Sequence, residues 1–100
     1  MLNIRKDKND GSLTIFLEGK LDTVTAQELD AAVKEDIDDV TELVFDMNEL
    51  RYISSAGLRV LLGAQKVMNE QGEMRVVKPN EIICEIFEDT GFYNILTIED

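Results

Sequence analysis

Two adjacent hydroxyl side chains, Ser54 and Ser55, are the groups in this sequence best placed to do chemistry. They follow an apolar run at residues 43–45, which is typical of a buried strand, and they precede an apolar-periodic run, which is typical of a helix. The first N–H groups of a helix have no partner within it, and the helix dipole is positive there. A serine at this point can therefore cap the helix, or it can carry a phosphate that the helix end stabilises.

The sequence lacks the residues of most catalytic sites. It has no histidine, which excludes a Ser-His-Asp triad and zinc sites built from His and Cys. Gly57, Gly63 and Gly72 have neither Walker-loop nor dinucleotide-binding spacing. The acidic run at residues 35–39 lacks the glycine and the ligand spacing of a calcium loop, so we interpret it as a solvated helix end. We therefore expect a binding module and not an enzyme, with no metal and no cofactor.

Length and charge restrict the class of protein and its partners. One hundred residues, 44% of them apolar, are enough for one core, so we predict a single domain at residues 1–100. Ten Lys and Arg against 21 Asp and Glu give a net charge of −11. Nucleic acids and anionic membranes both bind basic surfaces, so we expect neither as a partner. We interpret the acidic surface mainly as a solubility feature.

The cysteine content and the apolar runs indicate the compartment. Cys84 is the only cysteine, so no disulfide can form within the chain, and its apolar-periodic surroundings predict a core position. No apolar run approaches the length of a membrane span, and the N-terminus lacks the pattern of a signal peptide. We therefore predict a cytoplasmic protein.

The elements that must position the serines alternate between strands and helices. Apolar alternation and turn residues predict five strands, at residues 2–5, 13–17, 43–45, 74–77 and 94–98. The first two join in a hairpin, and Gly19 ends the second. Three- and four-residue apolar spacing predicts three helices, at residues 26–37, from the serines to Gly72, and from Pro79 to Gly91. The order β-β-α-β-α-β-α-β predicts an α/β fold: a mixed, mostly parallel sheet with an N-terminal hairpin and helices packed on it.

Single residues predict two further details of the helices. Asp22, Thr23 and the capping-box spacing of residues 25–28 are all candidates to cap the first helix. Gly63 lies inside the second helix, where glycine costs about 1 kcal/mol relative to alanine. We therefore predict that Gly63 permits a close approach by a neighbouring element.

Residues 46–62 resemble the phosphorylation-site segment of the anti-anti-sigma factors, which are members of the STAS domain family. In that family a strand ends in Asp, and a short loop leads through an aromatic and an aliphatic residue to Asp-Ser-(Ser/Thr/Ala)-Gly-Leu and an amphipathic helix. The residues that match this pattern are Asp46, Tyr52, Ile53, Ser55, Ala56, Gly57 and Leu58. Ser54 stands where many members have Asp. Residues 17–22 resemble a second signature, in which a strand leads through Gly-x-Leu-Asp into the first helix.

The resemblance implies the STAS fold over nearly the whole chain, and a phosphorylation switch. The phosphate would lie on Ser55, and its neighbours would be Asp22, Ser54, Ala56 and Gly57, with helix capping as the other interpretation of Asp22 and Ser54. Unphosphorylated, the domain would bind an anti-sigma factor and so release its sigma factor. That anti-sigma factor is typically also the serine kinase, using ATP and magnesium, and a separate phosphatase reverses the modification.

Five further residues flank the predicted phosphorylation site. Met47, Asn48 and Arg51 are predicted to lie in the loop before the serines and to contact the partner. Tyr52 and Leu58 border the site directly, and each is either a core residue or a partner contact.

Two other functions fit parts of the sequence. A STAS domain without phosphorylation can serve as a scaffold subunit, for example of a transporter, and Ser54 in place of Asp keeps this hypothesis open. A phosphoaspartate receiver domain is the second, because Asp46 ends a predicted strand and Lys78-Pro79 follows a later one. Against it, residues 2–8 lack the acidic pair that binds magnesium in receivers, and one strand-helix unit is missing before Lys78. None of these patterns fixes the oligomeric state.

Overall fold

One five-stranded sheet forms the centre of the protein, in a computed structural model that describes residues 1–100. The strands are β1 (Leu2–Asn9), β2 (Ser12–Leu21), β3 (Glu42–Ile53), β4 (Glu73–Val77) and β5 (Ile98–Glu99). The helices are α1 (Thr25–Asp36), α2 (Ser55–Gln71) and α3 (Glu81–Thr90). Short 3₁₀ turns at Ile37–Asp39 and Phe92–Asn94 follow α1 and α3. This order confirms the predicted β-β-α-β-α-β-α-β succession.

The spatial order of the strands equals their order along the chain. β1 runs antiparallel to β2 across a hairpin, in which Asp10 adopts a positive φ of 56° before Gly11. The other neighbouring pairs, β2–β3, β3–β4 and β4–β5, are parallel. The predicted mixed, mostly parallel sheet with an N-terminal hairpin is therefore confirmed. The flavodoxin-like fold of receiver domains has the strand order 2-1-3-4-5, so the receiver hypothesis is wrong.

The core lies between one face of the sheet and the three helices. Side chains alternate between the two faces of a strand, and the buried ones on β2 and β3 include Leu13, Ile15, Leu17, Leu43, Phe45 and Met47. The helices add to the same cluster Leu29, Val33, Leu61, Met68, Ile83 and Phe87. On the other face Phe16 is half-buried, and Arg5 Cζ lies 4.0 Å from the centroid of its ring. The sheet is therefore covered by helices on one side only.

Ion pairs fasten the end of α1 to β1. Lys6 Nζ lies 2.8 Å from carboxylate oxygens of both Glu35 and Asp36, and Lys8 Nζ lies 2.9 Å from Asp39. Hydrogen bonds to Asp36 and then Glu35 raise the pKa of Lys6, and the hydrogen bond from Lys8 lowers the pKa of Asp39. The acidic run that the sequence predicted as a solvated helix end is thus partly neutralised by the neighbouring strand.

β3 is much longer than the sequence predicted. The predicted strand at residues 43–45 was to be followed by a loop, and that loop is wrong because β3 continues to Ile53. The cause is β2, which stays paired with β3 up to the last register pair, Leu21 and Ile53. The pairing continues across two register shifts, one of which lies beside Gly19, whose φ is 108°. Gly19 therefore marks an irregularity within β2 and does not end it.

The two glycines in and after α2 have different surroundings. The predicted close approach at Gly63 is wrong, since a Cβ built there would meet no atom within 4 Å. The close approach occurs at Gly72, where a Cβ would lie 2.6 Å from the carbonyl carbon of Thr41. The missing side chain of Gly72 lets the chain pass from α2 into β4 directly against this backbone.

The third helix and the last strand lie at the edge of the core. Cys84 on α3 is half-buried, with its Sγ 3.7 Å from the carbonyl oxygen of Pro79, so the predicted core position holds only in part. β5 has two residues, where the sequence predicted a strand at 94–98. None of the three helices combines the length and the apolar character that crossing a membrane requires.

Candidate functional site

The two serines lie where β3 passes into α2. The parallel strands β2 and β3 end side by side at Leu21 and Ile53, and the backbone N–H of Ser54 donates to the carbonyl oxygen of Leu21 at 2.8 Å. α2 begins one residue later, at Ser55. The structure therefore brings the serines next to the loop that carries Asp22.

Ser54 caps α2. Its backbone is extended, with φ −95° and ψ 174°, and its Oγ accepts the N–H of Gly57 at 3.3 Å. Its carbonyl oxygen accepts the N–H of Leu58 at 3.0 Å. The capping interpretation of Ser54 is confirmed, and its hydroxyl is committed to the helix start.

Ser55 is the first residue of α2, and it differs from Ser54 in its surroundings. Its side chain is exposed and makes no hydrogen bond to another group of the chain. A hydroxyl in this position is accessible from solvent while the helix around it is already formed and capped. Of the two serines, Ser55 is the one that a second protein could modify without breaking a contact within the fold.

Gly57 fixes how closely α2 approaches the ends of the strands. It is buried, and a Cβ built there would lie 2.7 Å from Leu21 Cγ and 2.9 Å from Ile53 Cγ1. Leu58 is 5% exposed and belongs to the core, so of its two interpretations the core one holds. Ala56 is half-buried and packs against the same core. These small and apolar residues press the first turn of α2 onto the sheet.

The carboxylate of Asp22 holds the start of α1. Its Oδ1 accepts the N–H groups of Val24 at 3.1 Å and Thr25 at 3.0 Å, and also the hydroxyl of Thr25 at 3.1 Å. These bonds, led by the one from the Thr25 N–H, lower the pKa of Asp22. The N-cap position of α1 is Val24, so Asp22 orders the turn that leads into the helix and is not its N-cap. This turn follows Leu21, whose carbonyl oxygen accepts the N–H of Ser54.

The stabilising effect of Asp22 should depend on pH. A carboxyl whose pKa is lowered by folding stabilises the fold above its unfolded-state value of 3.8, and this contribution is lost as the pH falls through the lowered value. We expect Asp22→Ala to reduce the free energy of unfolding most at pH 7, and progressively less as the pH falls below 3.8 and through the lowered pKa of Asp22. Urea unfolding of both proteins across this range measures the difference. Asp22→Asn keeps an acceptor oxygen and is the control; a gap independent of pH would contradict the assignment.

The predicted partner contacts divide into exposed and buried residues. Met47 is fully buried in β3, so its prediction as a loop residue at the interface is wrong: its side chain is on the core face of the strand. Asn48, Arg51 and Tyr52 also lie in β3, but all three are exposed, Tyr52 to 43%. The same strand holds Asp46, whose Oδ1 accepts the N–H of Asn48 at 2.9 Å.

Two exposed residues beside the site were missed by the sequence reasoning. Val24 in the loop before α1 is 72% exposed, although it is apolar. Arg59, one helical turn after Ser55, lines an open groove of about 570 Å³ between the starts of α1 and α2. The groove is lined by Thr23, Ala26, Gln27, Asp30, Ala56, Arg59 and Val60. Two features of the sequence could have indicated them: Val24 is an apolar residue in a predicted turn, and Arg59 is a basic residue four positions after Ser55.

The sheet order, the helices on one face and the capped serine turn together define an α/β domain of the STAS kind. The family model for the STAS domain matches residues 3–100, and this chain belongs to that family. No cluster of three or more His, Cys, Asp or Glu side chains is arranged to hold a metal ion.

Relatives with the same domain are anti-sigma factor antagonists. The chain is 35% identical over 99 residues to BtrV of Bordetella bronchiseptica, which is assigned to this class, covering 97% of the chain and 85% of BtrV. It is 31% identical over 101 residues to the anti-sigma-B factor antagonist of Listeria monocytogenes (95% and 85% covered). It is 29% identical over 102 residues to the anti-sigma F factor antagonist of Paenibacillus polymyxa (99% and 87% covered).

Solved structures confirm the predicted STAS fold. An anti-sigma factor antagonist from Mycobacterium paratuberculosis superposes with a TM-score of 0.90 at 21% identity, covering 99% of this chain and 86% of that one. The antagonist SpoIIAA in its unphosphorylated form gives 0.79 at 18% identity, with 98% and 88% covered. The phosphorylated form of Bacillus SpoIIAA gives 0.76 at 18% identity, with 96% and 90% covered.

Proposed function

We propose that this chain is an anti-sigma factor antagonist whose binding is switched off by phosphorylation of Ser55. The observation that carries the proposal is the exposed, unbonded hydroxyl of Ser55 on the first turn of α2, in a chain whose relatives are anti-sigma factor antagonists. The unphosphorylated domain binds an anti-sigma factor, and the sigma factor held by that protein is released. The domain itself is a binding module without catalysis, and it works in the cytoplasm.

The partner that binds the domain also modifies it. The anti-sigma factor acts as a serine kinase: the Oγ of Ser55 attacks the γ-phosphorus of ATP, the bond to ADP breaks, and the kinase takes the hydroxyl proton, with magnesium held on the nucleotide. A separate phosphatase hydrolyses the phosphoserine and restores the binding form. The chain supplies only the acceptor hydroxyl, so no cofactor of its own is needed.

The geometry explains how Ser54 can replace the Asp that many family members carry. Both residue types are good N-caps, and Ser54 Oγ already holds the N–H of Gly57 at 3.3 Å. The helix start is therefore formed without a carboxylate beside Ser55. The phosphate then enters a helix end whose dipole favours an anion, so the fold accepts it without rearrangement.

The surface around Ser55 offers a partner both apolar and polar contacts. Val24 in the loop before α1 and Tyr52 near the end of β3 both expose apolar area, and Arg51 adds an exposed cation. A phosphate brings about −1.5 to −2 charges and extra bulk to the middle of this surface. A partner packed against it loses contact and meets unfavourable charge, which is the physical basis of the switch.

Intact mass after incubation with ATP, magnesium and the anti-sigma kinase of the same host tests the proposal. We expect one phosphoryl group on the wild type and on Ser54→Ala, and none on Ser55→Ala. Circular dichroism of both variants verifies that they are folded, and a known substrate verifies that the kinase is active. No phosphoryl group on any of the three proteins would refute the switch, and the chain would then be a STAS scaffold whose serines serve only the helix start.

A further inference from the structure

We infer that Arg59 binds the phosphate of phosphoserine 55 and thereby holds the modified side chain on the chain's own surface. This inference rests on the proposed phosphorylation of Ser55 and adds the residue that receives the phosphate. In the phosphorylated form, the phosphate and Arg59 would then bind each other on the surface of α2, and this contact requires no partner protein.

Helix geometry places the two side chains together. Ser55 and Arg59 are both exposed, and they lie four residues apart on α2. Side chains at this spacing are neighbours on a helix, with Cβ atoms about 5–6 Å apart. Helical side chains lean toward the N-terminus, so the long side chain of Arg59 can reach the turn that begins with Ser55. An anion that precedes a cation by four residues is also the favourable orientation of such a pair.

Arg59 has no carboxylate partner in the unmodified chain. Four basic residues of the protein form ion pairs with carboxylates: Lys6, Lys8, Lys34 and Arg75. Arg5 stacks on Phe16 instead. The guanidinium of Arg59 is therefore available, although the chain carries 21 acidic residues. A phosphate at Ser55 would be the nearest strong anion along its own helix.

The carboxylates of the elements packed beside Arg59 are already engaged. Asp30 lines the same groove, but its Oδ2 lies 2.9 Å from Lys34 Nζ. Asp22 in the neighbouring loop accepts three hydrogen bonds from Val24 and Thr25. Both carboxylates therefore have other partners, and phosphoserine 55, a dianion one helical turn away, can compete with them for the guanidinium of Arg59. Guanidinium is also the side chain best matched to phosphate, because it donates two parallel N–H bonds.

The pairing would change the surface in two ways at once. It places a phosphate at the start of α2, and it removes the free guanidinium that lines the groove between α1 and α2. A partner that contacts the Ser55 hydroxyl and the Arg59 guanidinium in the unmodified protein therefore loses both contacts after a single modification. Arg59 thus acts as a positioning residue for the switched-off form.

Phosphorus NMR on the full chain, with phosphoserine incorporated at position 55 during synthesis, tests this pairing. The second pKa of a phosphoserine is about 6. Arg59 favours the dianion, so we expect this pKa to be about 0.3 pH units higher in Arg59→Gln than in the otherwise unchanged protein. Arg59→Lys should restore most of the difference, because it keeps the charge.

Lys66→Gln is the matched control, since Lys66 is an exposed, unpaired cation on the same helix but far from Ser55. The second pKa of phosphoserine 55 in Lys66→Gln should equal its value in the protein without this substitution. Equal values for Arg59→Gln and Lys66→Gln would overturn the inference. Because the phosphoserine is built in without the kinase, this result is separate from the mass experiment: failure of the kinase to modify Ser55 refutes the proposed switch and leaves the pairing testable.

Discussion

Phosphoserine at position 55 is expected to weaken binding to the anti-sigma factor by about 5- to 150-fold, the range of typical coupling free energies between two binding events. The fold stays intact because Ser55 is exposed and its hydroxyl makes no hydrogen bond within the chain. The loss comes from charge and bulk placed in the middle of the proposed interface. Titration of the anti-sigma factor with the unmodified and the phosphoserine-containing chain, followed by calorimetry, measures it.

A change of equal charge elsewhere on α2 provides the control for this result. Lys66→Glu alters the charge by two, at an exposed position 11 residues and about 16 Å along the helix from Ser55. We expect its affinity to stay within about twofold of the wild type, since exposed charges beyond a Debye length are largely screened. An equal loss for both proteins would show that net charge weakens binding and that position 55 has no special role.

Gly72→Ala is expected to lower the free energy of unfolding by about 3 kcal/mol, the largest effect of a single methyl group that we predict in this protein. The added Cβ would lie 2.6 Å from the carbonyl carbon of Thr41. That carbonyl cannot move freely, because it accepts the N–H of Glu73 at 3.0 Å, and the N–H of Thr41 donates to Gly11 at 2.7 Å. Urea unfolding monitored by circular dichroism gives the difference.

Gly63→Ala, inside α2, is the counterpart of Gly72→Ala, which lies directly after that helix. No atom would lie within 4 Å of its added Cβ, so the substitution brings only the better helix propensity of alanine. We expect the free energy of unfolding to rise by up to about 1 kcal/mol. Opposite signs for the two glycines would confirm open space beside Gly63 and a close contact at Gly72; a destabilised Gly63→Ala would contradict the open space.

The serine junction could be predicted because its signals are local. The apolar run before Ser54 and the helical period after Ser55 place the strand end and the helix start within a few residues. Helix capping by Ser54 follows from the same arrangement, and the structure confirms it. The order of strands and helices was also correct, since each element has its own period and is separated by turn residues.

What the sequence could not provide is pairing between distant strands. Residues 46–49 are mostly polar and suggest a loop, yet β2 extends beside them and keeps them in a strand. Once these residues form a strand, Met47 is buried because it continues the alternation of Leu43 and Phe45. The register shift after Phe16 then leaves two successive residues, Asn48 and Glu49, exposed. Likewise, whether Gly63 touches a neighbour depends on the spacing between helices, which no local pattern contains.

Asn80 joins the third helix to the strand that leads into the serines. Its Oδ1 accepts the N–H of Ile83 at 2.8 Å, and its Nδ2 donates to the carbonyl oxygens of Leu50 at 3.1 Å and Arg51 at 3.4 Å. One amide side chain thus forms hydrogen bonds to backbone groups of two segments that are 30 residues apart in the sequence. Local opening of α3 also breaks the hydrogen bonds to Leu50 and Arg51 near the end of β3. Amide protons at the start of α3 and at the serine junction should therefore exchange with solvent as one cooperative unit.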